Sequence, residues 1–140
     1  MNDAGFAPVP GGGLAPRPPF DLVARLRSFT YAGRGIGLML ASQHNARIHA
    51  AATCLAVVAG FGLAVSRYEW LALLFAIVSV WTAEALNTAL EALCDVASPQ
   101  FHPLVARAKD VAAGAVLICA VGALVTAGLV FAPHLTESWH

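Results

Sequence analysis

Residues 84–95 read Glu84-Ala-Leu-Asn87-Thr88-Ala-Leu-Glu91-Ala-Leu-Cys-Asp95. This stretch decides the fold, because it continues without a break from the apolar run that starts at Trp70. Asn87, Thr88, Glu91 and Asp95 stand 3, 4, 7 and 11 residues after Glu84. At about 100° per residue of α-helix these offsets share one stripe, while Ala85, Leu86, Ala89, Leu90 and Leu93 keep the opposite face apolar. One helix therefore carries an apolar body and an acidic stripe at one end. Glu84 lies roughly 10 Å deeper along it than Glu91. Ionisable groups inside an apolar span are costly and mark function by default. Interhelical hydrogen bonding by Asn87 and Thr88 alone leaves three carboxylates unexplained.

The rest of the chain supplies the solvent for such a helix. Of 140 residues, 59% are hydrophobic and 11% charged, with mean hydropathy +0.71. Soluble domains average about 25% charged residues, and a small globule needs polar residues to cover its large relative surface. The composition excludes a soluble domain, a disordered chain and a coiled coil, and points to a protein solvated by lipid. Eight basic and eight acidic residues cancel, so no basic patch for nucleic acid is expected. Cys54, Cys94 and Cys119 are odd in number, widely spaced and without a CxxC pair. They read as small buried hydrophobes, not a disulfide framework.

Outward from the stripe the organisation is all-α. Residues 1–19 hold five of the eight prolines and four of the twelve glycines and read as a disordered leader. Residues 20–44 alternate Phe20, Leu22, Val23, Leu26, Phe29 and Tyr31 with Arg25, Arg27 and Arg34, the pattern of an amphipathic helix in the headgroup region. Gly33, Gly35 and Gly37 predict a bend there. Three transmembrane helices follow, at about 48–66, 70–90 (with the helical pattern running on to Val96) and 111–132, the last stopped by Pro133. Each offers roughly the 20 residues that cross about 30 Å of hydrocarbon. Arg67-Tyr68-Glu69 reads as the tight turn between the first two. Arg17, Arg25, Arg27, Arg34 and Arg47 before the first span, with Arg107 and Lys109 after the second, put the N-terminus in the cytoplasm and the C-terminus outside. Trp70 and Trp139 suit the outer interface. Residues 20–135 form one membrane domain and 136–140 a short tail.

The residue types on the stripe define a chemistry. Carboxylates beside a lysine at a membrane boundary suit magnesium with a phosphorylated ligand: hard oxygen donors hold the ion, nucleotide phosphates complete its shell, and an ammonium offsets phosphate charge. Glu84, the deepest carboxylate, suits a base taking a proton from a hydroxyl. There is no GK[ST] phosphate loop; Gly33-Arg34-Gly35-Ile36-Gly37 lacks that ending. His44, His49 and His102 fall near the cytoplasmic face and leave open a haem-anchor reading, while His134 and His140 read as solvated. A small ion-coupled transporter also buries carboxylates, but near the midplane.

Two motifs carry a resemblance. Glu84–Glu91 with Asp95, and His102-Pro103-Leu104 leading into Ala108-Lys109-Asp110-Val111-Ala112-Ala113-Gly114-Ala115-Val116, resemble the signature of the bacterial membrane-embedded diacylglycerol kinase family. Asn45-Ala46-Arg47-Ile48-His49 resembles its undecaprenol kinase branch. The likeness covers residues 25–132 or so. It implies a homotrimer of three-span chains, each with a surface helix, in the bacterial inner membrane. It also implies an ATP-dependent lipid kinase that moves the γ-phosphate of magnesium-ATP onto the hydroxyl of a membrane lipid, diacylglycerol or undecaprenol.

Carried over by position, the resemblance makes Glu84 the general base and Asn87 its neighbour. Glu91 becomes a metal ligand and contacts ATP. Asp95, Lys109, Asp110, Tyr31 and the loop Gln100-Phe101-His102 are implied to meet the nucleotide. Arg27, Arg47 and Ala113, with Glu84, are implied to meet the lipid. One position departs from the pattern: the family's second metal-binding glutamate is Gln43 here. An amide oxygen coordinates magnesium without adding charge, so weaker metal binding by the free protein, or a degenerate kinase, is the alternative this residue raises.

Overall fold

The computed structural model describes residues 21–137 as four helices. The leader expected at 1–19, together with Trp139 and His140, lies outside the described residues. Among the described residues there is no strand.

Helix α1 runs Leu22–Ser42. Asp21 starts it, its carboxylate accepting the Val23 N–H at 2.9 Å, the usual service of an N-cap to an otherwise unpaired donor. The bend expected at Gly33, Gly35 and Gly37 does not occur: α1 passes straight through them. A Cβ placed at any of the three would meet nothing within 4 Å, so these glycines accommodate no close approach. The chain breaks at Gln43 instead, whose φ −101° and ψ 122° are extended. This single residue separates α1 from α2, His44–Gly62. Arg47 stabilises the corner by donating to the carbonyls of Leu40 (3.0 Å) and Ala41, two groups the end of α1 leaves unsatisfied.

The connection from α2 to α3 is Leu63–Ser66, with Ala64 in the left-handed region at φ 51°. The turn expected at Arg67-Tyr68-Glu69 is in fact the first turn of α3, Arg67–Ala97. Ser66 and Glu69 close a capping box: the Ser66 N–H donates to the Glu69 carboxylate at 2.6 Å, and the Glu69 N–H to the Ser66 hydroxyl at 3.4 Å. The S-x-x-E spacing that encodes it moves the start of the helix ahead of Trp70. After the connection 98–102, α4 spans Pro103–Glu137 and contains Pro133. A proline this close to a helix end forfeits little more than one backbone bond, so the apolar run ends at Pro133 while the helix does not.

Helix α3 packs chiefly on α4, and α2 lies against both. A small core of Val65, Leu73 and Val130, flanked by Trp70 and Phe131, forms at the Ser66 end. At 31 and 35 residues, α3 and α4 are about 46 and 52 Å long at 1.5 Å per residue. Both are longer than the hydrocarbon thickness of a bilayer, about 30 Å. Among the described residues these two helices are long and apolar enough to cross a membrane. Helix α2 opens with His44, Asn45 and Arg47, and its apolar part, Ile48–Gly62, falls short of a full span. Large apolar side chains are exposed along α3 and α4, among them Leu74, Phe75, Ile118, Leu124 and Leu129. Soluble monomers do not leave that much apolar surface to water.

Candidate active site

The acidic stripe folds inward. Glu84 is 1% exposed and is the largest fully buried side chain; Asn87 is 7% exposed. Thr88 does not join them: its hydroxyl donates back to the Glu84 carbonyl at 2.9 Å, the local bond serine and threonine make in helices. Gln43, projected by the α1/α2 corner, reaches α3 and donates Nε2–H to Glu91 Oε2 at 3.1 Å. Asn87 donates Nδ2–H to Glu91 Oε1 at 3.3 Å. Both oxygens of Glu91 are thus oriented by amides, one from each side. Two buried oxygens beside this cluster have no partner, Glu84 Oε2 and Asn87 Oδ1. Leaving such atoms unpaired costs about 1–3 kcal/mol each, a cost a bound ligand removes.

One turn beyond Glu91, Asp95 and Lys109 pair at 3.0 Å across α3 and α4. Donating to the Asp95 carboxylate keeps the pKa of the Lys109 ammonium above its ordinary value, so it stays cationic. Both side chains are accessible (37% and 71%). The pair is weak as a stabilising contact and available to a phosphate. Asp110 is exposed beside it.

The structure leaves other expected residues elsewhere. Phe101 is 86% exposed, Gln100 lies in the connection, and His102 Nδ1 accepts the Leu104 N–H at 3.2 Å, capping α4. Tyr31 is exposed on α1 with the Arg34 guanidinium 6.0 Å from its ring centre. It stands roughly 18 Å from Gln43 along the helix, and Arg27 farther still. Arg47 is engaged in the corner. Ala113 is exposed; the small α4 residues that line a groove with Asn87 are Ala112 and Ala115. That groove is about 430 Å³, apolar, and bounded by α3 and α4.

A residue the sequence reading did not place in the site is His49. Its Nε2 is covered and unpartnered. Its place in the Asn45–His49 motif assigned it no role, and its helical offset from Gln43 means nothing until the pairing of α2 with α3 is known. His134, expected to be solvated, is half-buried and meets Glu69 at 3.0 Å. Cys54 is exposed, and none of the three cysteines is bonded to another.

Among the described residues no three His, Cys, Asp or Glu side chains converge on one metal position. Glu91 and the amide oxygen of Gln43 offer a sparse, hard-oxygen set. That set fits a magnesium ion arriving with ATP, whose phosphates supply most of its ligands; it does not fit a tightly held resident ion.

A buried carboxylate with a free oxygen, an amide-oriented glutamate and an accessible lysine, all at one end of membrane-length helices, define a membrane-embedded site for transfer chemistry. The model of prokaryotic diacylglycerol kinases matches residues 30–131. An undecaprenol kinase of Bacillus subtilis is 39% identical over 109 residues, covering 78% of this chain and 89% of that protein. A diacylglycerol kinase of Synechocystis is 37% identical, covering 79% and 63%, and that of Escherichia coli K12 is 31% identical, covering 72% and 83%. The chain belongs to the prokaryotic diacylglycerol kinase family, and it is a lipid kinase. The transporter and haem-anchor readings find no support.

Proposed function

We propose that the protein transfers the γ-phosphoryl group of magnesium-ATP to the hydroxyl of a membrane lipid alcohol. The observation that carries this reading is the unpartnered oxygen of buried Glu84 beside the Gln43–Glu91–Asn87 cluster. The hydroxyl oxygen bonds to the γ-phosphorus as the bridging bond to the β-phosphate breaks. ADP leaves, and the hydroxyl proton passes to Glu84. Such transfers ask the protein for position and charge neutralisation more than for covalent chemistry. Lys109, with Asp95 and Asp110 nearby, meets the phosphates and ribose end of the nucleotide. Glu91 and Gln43 hold magnesium, which supplies charge neutralisation on the phosphates.

Helices α3 and α4 form two spans and α2 the third, its short apolar part lengthened by the apolar Leu63-Ala64-Val65 that follows it, with α1 on the inner surface, the N-terminus cytoplasmic and the C-terminus outside. The membrane is the bacterial inner membrane and the assembly a homotrimer. The exposed apolar faces of α3 and α4, with Tyr31 and Arg27 on the exposed body of α1 and Gln100 and Phe101 in the exposed α3–α4 connection, favour a site shared between copies. Undecaprenol is the acceptor favoured by Arg47-Ile48-His49 and by the likeness to a protein named undecaprenol kinase that spans 89% of that relative. The test is reconstitution in bilayers with γ-labelled ATP, offering diacylglycerol and undecaprenol side by side, with and without magnesium. Label in undecaprenol exceeding that in diacylglycerol, and only with magnesium, is expected. Label in neither lipid makes this a degenerate kinase disabled at Gln43.

A further inference from the structure

Two interhelical bonds set the antiparallel register of α2 and its preceding corner against α3. Gln43 meets Glu91, and the Trp81 indole N–H donates to the Thr53 hydroxyl at 3.1 Å. By residue count between these two rungs, the antiparallel register sets His49 opposite the Glu84–Ala85 turn of α3. His49 lines a groove with Leu73, Ile77 and Val80, and Glu84 continues that stripe one turn beyond Val80. Both groups end in a covered atom with no partner: Glu84 Oε2 and His49 Nε2. They do not satisfy each other. The groove as a whole, about 550 Å³, is almost entirely apolar.

A carboxylate oxygen only accepts, and an imidazole nitrogen in the right tautomer donates. One acceptor and one donor at the same depth complement a single hydroxyl, which has a proton to give and lone pairs to offer. We propose that His49 Nε2 and Glu84 Oε2 together seat the acceptor's hydroxyl. The hydroxyl donates to Glu84, its oxygen accepts from His49, and the apolar groove takes the adjoining hydrocarbon. This rests on the lipid-kinase reading and adds a substrate-contacting residue to it. His49 aims the oxygen lone pair that attacks phosphorus, while the proton goes to Glu84. The ammonium and metal side of the reaction is untouched, so ATP binding does not depend on His49. The seat distinguishes a primary alcohol from its deoxy or ether analogues, which leave one or both buried atoms unpaired.

The experiment uses the full chain in bilayers. His49→Leu lowers kcat/KM for the lipid alcohol about tenfold, the scale of one hydrogen bond in a buried site, and leaves the KM for ATP within twofold. His49→Gln, whose Nε2 keeps a donor near the same place, recovers most of the loss. A second readout needs no turnover: in ¹⁵N-histidine-labelled protein without ATP, the His49 imidazole resonance, assigned by its absence in His49→Gln, shifts on adding a short-chain diacylglycerol or undecaprenol. Unchanged kcat/KM in His49→Leu overturns the seat, as does equal loss in Leu and Gln variants, which marks mere packing. A resonance that ignores saturating alcohol overturns it too. A resonance that shifts in a wild-type protein that phosphorylates no lipid upholds the seat and sinks the kinase reading instead.

Discussion

Gln43 is where this chain differs chemically from the pattern it resembles, and the structure gives the difference a consequence. Gln43 donates to Glu91, so the free protein holds the cluster together through an uncharged donor where a second carboxylate would repel. Restoring the charge reverses the balance. Gln43→Glu adds an anionic oxygen for magnesium and loses the bond to Glu91. The concentration of free magnesium giving half-maximal lipid phosphorylation is expected to fall about five- to tenfold, on the order of 1 kcal/mol, in a magnesium titration at fixed ATP. An unchanged midpoint would remove Gln43 from the metal site. At Glu84 the expectation is steeper. Glu84→Gln keeps shape and burial but cannot accept a proton, so turnover drops by roughly 10²–10⁴. Retained trapping of a fluorescent ATP analogue in that variant would show the loss lies in chemistry. The stripe itself was legible because a 3.6-residue period puts Glu84, Asn87 and Glu91 on one face whatever the tertiary structure. His49 was not legible as a site residue, because its relation to Glu84 passes through the register of two helices and no local pattern records that register.

Helix existence was readable from apolar run length, but helix ends were not. Ser66 and Glu69 show why: apolarity begins at Trp70, whereas the helix begins where orphan N–H groups find acceptors. Ser66→Ala removes one of them and is expected to lower stability by about 1 kcal/mol, measurable as a lower midpoint of thermal unfolding in detergent. Glu69 adds a pH dependence. The Ser66 backbone N–H first, then the Ser66 side chain and His134, hold its carboxyl below the ordinary 4.5. A carboxyl depressed in the folded state stabilises above its unfolded pKa, and that contribution is lost as pH falls through the lower folded value. The unfolding midpoint should therefore decline on acidification below about pH 4.5, and decline less in Glu69→Gln. Equal slopes in both proteins would mean that other carboxylates govern acid stability.

The same hairpin limits side-chain volume at Gly60. A Cβ there would lie 2.8 Å from Trp70 Cη2 and 2.9 Å from Cζ2. The indole is backed by Phe61, whose ring centre is 4.9 Å away. Gly60→Ala overpacks this contact and is expected to cost about 1–3 kcal/mol. Gly33→Ala on α1, where nothing lies within 4 Å, should instead strengthen the helix slightly. Opposite shifts of the unfolding midpoint in the two variants test that contrast. Glycine counts alone made Gly33, Gly35 and Gly37 the more conspicuous set, yet only Gly60 of these four meets another side chain.

For the whole molecule, the question is where the nucleotide site is completed. In one chain, Glu84, Asn87 and Glu91 gather with Gln43, while Phe101 projects unburied from the connection and Tyr31 sits exposed far along α1. The apolar faces of α3 and α4 are likewise uncovered. A second copy covering those faces would bring one chain's nucleotide-binding residues to another chain's base. This makes a prediction that single-chain catalysis cannot meet. On the proposed mechanism Glu84→Gln lacks the base and Lys109→Ala lacks the phosphate-binding cation, so each alone is expected to be inactive. When the two are unfolded, mixed in equal amounts and reassembled, random closed oligomers place an intact Glu84 opposite an intact Lys109 at roughly a quarter of their sites. Lipid phosphorylation should recover to that fraction of the wild-type rate. Co-purification through different tags would confirm that mixed oligomers formed. Mixed oligomers with no recovery would place Glu84 and Lys109 of the same chain in one site, and the exposed helix faces would then serve assembly or lipid contact alone.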